Sequence, residues 1–157
     1  MRSALPLILI LLASPAIAQD IGGRPVRVEP RAIYVIDGDT VRHGGKSYRL
    51  VGFDAPETML SRAKCERELD LAYAAKARVV DMIHAPGAVV TLERVACSCR
   101  PGAVEETMTC NYARRCGTLR VNGVDVGGTL MREGLAAPYA DHWRRAPARV
   151  DWCGGRP

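Results

Sequence analysis

Lysine is scarce in this chain of 157 residues: only three of its 22 basic side chains are lysines, and the other 19 are arginines. The chain also has no internal repeat and no low-complexity tract, which excludes a solenoid, a repeat array and a long disordered segment. It has no uninterrupted apolar run of about 18 residues, so we expect no membrane span in the mature protein. What these absences leave is a single domain with its own core.

The excess of arginine over lysine has two explanations. A guanidinium is a planar fork of donors that matches phosphate oxygens, so this composition and the formal net charge of +5 suit a polyanionic partner. A codon bias towards arginine would produce the same composition without any ligand. Composition alone leaves both explanations open.

The first 18 residues have the pattern of a secretory signal peptide. Arg2 precedes an almost wholly apolar stretch at residues 4–13, and Ala16-Ile17-Ala18 is a small-residue cleavage pattern. We therefore expect cleavage after Ala18, one mature domain at residues 19–157, and a periplasmic or secreted location. An N-terminal core helix is the alternative.

Six cysteines follow the predicted cleavage point, and an even number in an oxidising compartment predicts up to three disulfides. Four of them lie within residues 97–116 and could instead bind zinc, although their spacing is not that of the usual zinc knuckles. We expect these four to staple a hairpin, and Cys65 and Cys153 to tie the start of a helix to the C-terminal tail. The four clustered cysteines are Cys97, Cys99, Cys110 and Cys116.

The hydrophobic pattern predicts five strands, two turns and two helices. The strands are at residues 32–36, 40–43, 47–53, 88–95 and 118–122. His43-Gly44-Gly45-Lys46 and Asn122-Gly123 are typical hairpin connections. Apolar residues recur at three- and four-residue spacing over residues 65–83, which predicts a helix ended by Ala85-Pro86-Gly87, and a shorter helix is expected at residues 126–133. This order predicts an α+β fold, a five-stranded antiparallel barrel of the oligonucleotide/oligosaccharide-binding (OB) kind with two to three packed helices.

Acidic side chains lie close in sequence to the guanidinium of Arg49 within residues 37–57, in Asp37-Gly38-Asp39-Thr40 and Asp54-Ala55-Pro56-Glu57. Carboxylates suit a hard metal ion and a guanidinium suits a phosphate. On an ideal strand Arg49 and Asp54 would be about 16 Å apart on opposite faces, so the chain must bend between them, and Gly52 is the expected place. Taken singly, each motif is also typical of a solvated turn, an ion pair or the entry to a capped helix.

Together with their flanking residues, these motifs resemble the thermonuclease (staphylococcal nuclease-like) family. The resemblance is carried by Val35-Ile36-Asp37-Gly38-Asp39-Thr40, by Tyr48-Arg49-Leu50-Val51-Gly52-Phe53-Asp54-Ala55-Pro56-Glu57, and by Cys65-Glu66-Arg67-Glu68 opening an alanine-rich helix. Further on, Tyr112-Ala113-Arg114-Arg115 and Asn122-Gly123-Val124-Asp125-Val126, followed by Arg132-Glu133-Gly134-Leu135-Ala136, look like the family's second catalytic arginine segment and closing helix. The resemblance covers residues 32–139, and the order of the motifs carries it more than any one of them.

The resemblance implies a calcium-dependent nuclease that cuts DNA and RNA with little sequence preference and leaves 3′-phosphate ends. It places the Ca²⁺ ion on Asp39, Asp54 and the backbone carbonyl of Ala55, with Asp37 as a neighbour that orients these ligands. Glu57 becomes the general base, or at least the group that positions the attacking water. We expect the protein to be a monomer.

The resemblance also implies two arginines on the phosphate, Arg49 and Arg114, and tyrosines that stack on bases, Tyr112 and Tyr139. Tyrosines in the core are the alternative for the latter two. The family's Asp-x-Tyr-Gly-Arg segment reads Cys110-Asn111-Tyr112-Ala113-Arg114 here, and Arg115 is an adjacent rival, although the distance to the Asn122-Gly123 turn favours Arg114.

Two other functions remain open from the sequence. One is a nucleic-acid-binding OB module with weak or no catalysis, and the other is a disulfide-stapled envelope protein that binds an anionic polymer. No role is assigned to His43, His84 or His142, which have no evident partner in the sequence.

Overall fold

A computed structural model describes residues 23–140 and 149–154 of the chain. The fold of this part is α+β, with a mixed seven-stranded sheet, a two-stranded sheet and two α-helices. The predicted signal peptide and His142 lie outside the described residues.

The helices agree closely with the predicted ones. Helix α1 covers Glu66–His84 and helix α2 covers Val126–Arg132. The strands are β1 Val26–Arg27, β2 Ile33–Asp37, β3 Thr40–His43, β4 Lys46–Leu50, β5 Phe53–Asp54, β6 Val90–Val95, β7 Arg115–Val121, β8 Val124–Asp125 and β9 Ala137–Pro138. The predicted strand at residues 47–53 is therefore two strands, and the one predicted at 118–122 begins three residues earlier, at Arg115.

The large sheet has the strand order β1-β6-β7-β4-β3-β2, and β8 pairs with β7. Strands β4 and β7 run parallel, whereas the other pairs in this sheet are antiparallel. The expectation of a purely antiparallel sheet was therefore wrong at this pair, and the sheet is open between β1 and β2. Strands β5 and β9 pair separately, and this pairing holds the backbone of Asp54 opposite Ala137.

Both predicted hairpin turns are confirmed. Gly44 and Gly45 have φ of 56° and 74°, and they connect the paired residues His43 and Lys46. Asn122 and Gly123 have φ of 53° and 79° between the ends of β7 and β8. Two consecutive positive φ angles suit the right-handed twist of a two-residue hairpin, and glycine and asparagine adopt them at low cost.

The core lies between α1 and the sheet. Ala72, Ala75, Val79 and Ile83 are the buried apolar residues of α1, and the helix packs against β2. Val41, Leu92 and Leu119 are buried on the sheet side. Since each fully buried aliphatic side chain contributes about 1.5–3 kcal/mol, this face holds α1 in place beside the ends of β2 and β3. Within the described residues, no helix combines the length and the apolar character that crossing a membrane requires.

Three disulfides join the described cysteines: Cys65–Cys153, Cys97–Cys116 and Cys99–Cys110. The first connects the residue before α1 to the C-terminal tail, as predicted, with 6.0 Å between its Cα atoms. The other two brace the connection between the antiparallel strands β6 and β7. The zinc alternative is wrong, because all six sulfurs are in disulfides.

Candidate functional site

The bend expected between Arg49 and Asp54 is present at Gly52, whose φ is 93°. Glycine adopts this angle at no steric cost, since it has no Cβ. The bend separates β4 from β5, and as a result Nη2 of Arg49 donates to the carbonyl of Phe53 at 3.2 Å and to Oδ1 of Asp54 at 3.0 Å. Two side chains that an ideal strand would hold far apart are therefore in direct contact.

Arg49 joins the two carboxylates predicted as calcium ligands. Its Nη1 forms an ion pair with Oδ2 of Asp39, and its Nη2 pairs with Asp54. All three residues are buried, with 7% of each exposed. Asp39 also accepts hydrogen bonds from the backbone N–H of Ala55 at 3.0 Å and from the hydroxyl of Thr40 at 3.0 Å. The site therefore contains a buried network in which two acids share one guanidinium.

Gly38 allows the loop that carries Asp39 to approach Ala55. A Cβ atom at position 38 would lie 2.7 Å from the Cβ of Ala55 and 2.9 Å from that of Ala75 in α1. Both distances are shorter than carbon atoms tolerate, so a glycine is needed for this packing. The close contact brings the carboxylate of Asp39 to the backbone of the second acidic segment.

Asp37 lies at the end of β2, where its Oδ1 accepts a hydrogen bond from the backbone N–H of Asp39 at 3.1 Å. Burial raises the pKa of this carboxyl above its ordinary value of 3.8, although the hydrogen bond from Thr40 and the charges of Arg49 and Arg114 oppose the rise. Asp37 therefore orients the turn that presents Asp39.

Arg114 reaches the same site from the connection between β6 and β7. Its Nη1 donates to the hydroxyl of Thr40 at 3.3 Å, and its Nε and Nη2 donate to the backbone and side-chain oxygens of Asn111 at 3.2 and 3.1 Å. Its guanidinium also lies 5.9 Å from the ring centroid of Tyr112. This arginine is thus held next to Asp39 by the residues that precede it in sequence.

The three residues before Arg114 are in the left-handed region, with φ of 52°, 54° and 61° at Asn111, Tyr112 and Ala113. Each such residue other than glycine costs about 1–2 kcal/mol. Glycine is the residue type that this backbone angle favours, and this chain has Ala113 there. Disulfides at Cys110 and Cys116 flank the segment, so covalent bonds restrain a backbone conformation that glycine would adopt at lower cost.

Arg115, the rival of Arg114, faces the interior. Its Nε donates to Glu106 at 2.9 Å, its Nη1 donates to the hydroxyl of Tyr48 at 3.2 Å, and only 8% of the residue is exposed. Arg114 precedes β7 and Arg115 is its first residue, and of the two it is Arg114 that lines the cleft with the acidic residues. The structure brings Arg114 to them.

A cleft of about 810 Å³ is lined by every residue that the sequence analysis assigned to the site. Tyr112 is 70% exposed at its edge, which excludes the core alternative for this tyrosine, and Tyr139 is half-buried in the lining. The remaining seven are Asp37, Asp39, Arg49, Asp54, Ala55, Glu57 and Arg114. Segments that are distant in sequence therefore converge on one concave surface.

One lining residue that sequence reasoning missed is Arg149, from the C-terminal tail. Its Nε donates to Oδ2 of Asp54 at 2.9 Å, its Nη1 to Oε1 of Glu57 at 3.0 Å, and its Nη2 to the carbonyl of Ala55 at 3.2 Å. Burial opposes the charge of this guanidinium, but Asp54 and then Glu57 more than offset it, so that the pKa of Arg149 is raised. The predicted link between Cys65 and Cys153 was the one signal that the tail would lie near these acids.

The oxygens at this position suit a hard cation. Asp39, Asp54 and the Ala55 carbonyl supply the donor types that Ca²⁺ prefers, and the positively charged guanidinium of Arg149 already lies on two of them. Within the described residues, the carboxylate oxygens do not form a group of three within 4.8 Å of one another; the one such group consists of Cys97, Cys99 and Cys110, which are in disulfides. A hard cation bound here would therefore need further ligands besides these oxygens.

No protein-family model matches this chain, and no curated protein matches it in sequence.

Proposed function

We propose that this protein is a calcium-dependent nuclease of the thermonuclease type that hydrolyses phosphodiester bonds of DNA and RNA. The observation that carries the proposal is the convergence of Arg49, Asp54, Glu57 and Arg114 with Asp39 on one cleft. Arg114 comes from a segment about 60 residues away from the acids, so a solvated turn or a local ion pair does not explain its presence there. An OB-type barrel is proposed for the fold, with the open β1 and β2 edges as its seam.

Two positive side chains of the cleft, Arg49 and Arg114, are proposed to contact the phosphate. Arg49 is anchored between Asp39 and Asp54, and Arg114 is anchored on Asn111 and Thr40. Guanidinium groups held in this way form charge-assisted hydrogen bonds with phosphate oxygens and stabilise the extra negative charge of the transition state. Their partners hold both guanidinium groups at the cleft before substrate binds.

Glu57 is proposed to accept the proton of the attacking water. Its side chain is 23% exposed, so it is open to the cleft while it remains close to Asp54 and Ala55. The water oxygen bonds to phosphorus, the proton passes to Glu57, and the bond to the 5′ oxygen breaks. The leaving oxygen takes a proton from solvent, which leaves a 3′-phosphate end.

Asp39, Asp54 and the Ala55 carbonyl would hold the calcium ion, with Asp37 orienting them. Bound there, the ion would supply positive charge to the phosphate and lower the pKa of a bound water. Tyr112 and Tyr139 are proposed to contact bases, since aromatic rings stack on any base and so give little sequence preference. Three disulfides support a periplasmic or secreted location, because disulfides persist in oxidising compartments.

The test is cleavage of plasmid DNA and of a single-stranded RNA by the oxidised mature protein, with added Ca²⁺ or with excess chelator. We expect cleavage of both polymers with Ca²⁺ and none with chelator. Glu57→Gln should lower kcat at least about 100-fold, since general-base catalysis is worth that much or more. Undiminished cleavage in chelator would contradict the role of calcium.

The matched control for Glu57→Gln is Glu29→Gln, which makes the same chemical change at an exposed residue outside the cleft. It should leave kcat unchanged. Wild-type turnover in Glu57→Gln would remove this residue from the mechanism.

A non-catalytic nucleic-acid-binding module is the second candidate, and one observation favours it: Arg149 lies on Asp54, Ala55 and Glu57. A gel shift with DNA or RNA in the presence of Ca²⁺, without cleavage, would select this alternative.

A further inference from the structure

The cation at the centre of the candidate site is supplied by the protein itself. The guanidinium of Arg149 contacts two of the proposed calcium ligands, Asp54 and Ala55, and the proposed base, Glu57. We propose that Arg149 is a tethered competitor of the calcium ion, so that the metal binds only when this side chain leaves the acids. This inference rests on the proposed function, because it concerns the same site.

The contacts of Asp54 explain why the two cations exclude each other. Oδ1 of Asp54 accepts from Arg49 at 3.0 Å and Oδ2 accepts from Arg149 at 2.9 Å, so both oxygens are occupied. A calcium ion on Oδ2 and on the Ala55 carbonyl would be within a few ångströms of the same guanidinium. Like charges at that distance repel strongly in a partly buried site. Each of these oxygens would also have to bind the calcium ion and the guanidinium at the same time.

The tail is anchored close to Arg149. Cys153, four positions later, is bonded to Cys65, and Trp152 is buried with 2% of its surface exposed. A group that is tethered next to its binding site acts at a high effective concentration. The disulfide therefore keeps the guanidinium close to the acids even after it has moved away from them.

Arg149 also keeps a route out of the site. Its side chain is 41% exposed, whereas that of Arg49, the other guanidinium on Asp54, is 8% exposed. Arg49 contacts Phe53 and both aspartates and is part of the core of the site. Of these two arginines, Arg149 is thus the one that can be displaced while the network of Arg49 with its acids stays intact.

The test is isothermal titration of Ca²⁺ into the oxidised mature protein at one ionic strength, without substrate. Arg149→Gln should bind Ca²⁺ about 10- to 100-fold more tightly than the wild type. In the wild type only those molecules whose Arg149 has left the acids can bind the ion, and this small fraction weakens the apparent affinity. Arg120→Gln is the matched control, since it removes the same charge from an exposed position on β7 and should leave the affinity unchanged.

A second variant keeps Arg149 and removes its tether. Cys65→Ala with Cys153→Ala should also tighten Ca²⁺ binding, by less than Arg149→Gln does. Tighter binding in both variants supports the proposal.

Equal or weaker Ca²⁺ affinity in Arg149→Gln would overturn the inference and leave the calcium-dependent nuclease intact. Absence of Ca²⁺ binding in both the wild type and Arg149→Gln would overturn the inference together with the calcium site. A loss of DNA cleavage in Arg149→Gln without tighter Ca²⁺ binding would show that Arg149 acts on the substrate, and it would also refute the competition.

Discussion

Removing the disulfide between Cys65 and Cys153 should cost more stability than removing any other bridge. The two cysteines are 88 positions apart, and the chain-entropy relation gives about 4.6 kcal/mol at 25 °C for a loop of that length. Cys99 and Cys110 are 11 positions apart, for which the same relation gives about 2.8 kcal/mol. The larger value is a substantial part of the roughly 5–15 kcal/mol that stabilises a typical domain.

The comparison is made between two double variants, Cys65→Ala with Cys153→Ala and Cys99→Ala with Cys110→Ala. Their free energies of unfolding are measured by urea denaturation at 25 °C and pH 7, in the presence of a chelator so that metal binding does not contribute. The first pair should lose about 2 kcal/mol more than the second, from the difference in loop length. An equal loss, or a larger loss in the second pair, would refute the reasoning from loop closure.

Two further predictions concern packing and charge. Gly127→Ala should destabilise the protein by about 1–3 kcal/mol, because the added Cβ would overlap the buried ring of Phe53. Gly128→Ala should instead stabilise α2, since the nearest atom to its added Cβ is 3.6 Å away. Urea denaturation measures both variants, and stability changes of the same sign would contradict this account of the packing. Asp37→Asn should raise the free energy of unfolding at pH 7, since burial raises the pKa of Asp37 and its ionisation then opposes folding. That gain should shrink as the pH falls towards 3.8, the ordinary pKa, and a gain independent of pH would contradict the assignment.

The predicted turns and helices depended on local chemistry. The turns at Gly44-Gly45 and Asn122-Gly123 require positive φ angles, which few other residue types adopt. The three- and four-residue spacing of apolar residues in α1 indicates an amphipathic helix. The bend at Gly52 was predictable for a related reason, since without it Arg49 and Asp54 could not have met. Such features are decided by residues within a few positions of one another.

The pairing of β4 with β7 was not predictable in the same way. In the chain β5, α1 and β6 lie between the two strands, and neither strand carries a sequence signal for its partner or its direction. The pairing extends β7 back to Arg115 and so orients Arg115 inward, while Arg114 lies at the cleft. The choice between the two arginines thus followed from strand register, which packing decides.

Sequence patterns indicate which side chains are chemically suited to a site: acids to a cation, guanidinium groups to a phosphate, and cysteines to disulfides. The tertiary structure decided which of them meet. No local pattern in the sequence marks Arg149 as a residue that contacts Asp54 across 95 positions of the chain. The disulfide at Cys153 and the buried Trp152 anchor the tail beside this contact, because contacts between distant segments depend on how the whole chain packs and not on the residues beside them.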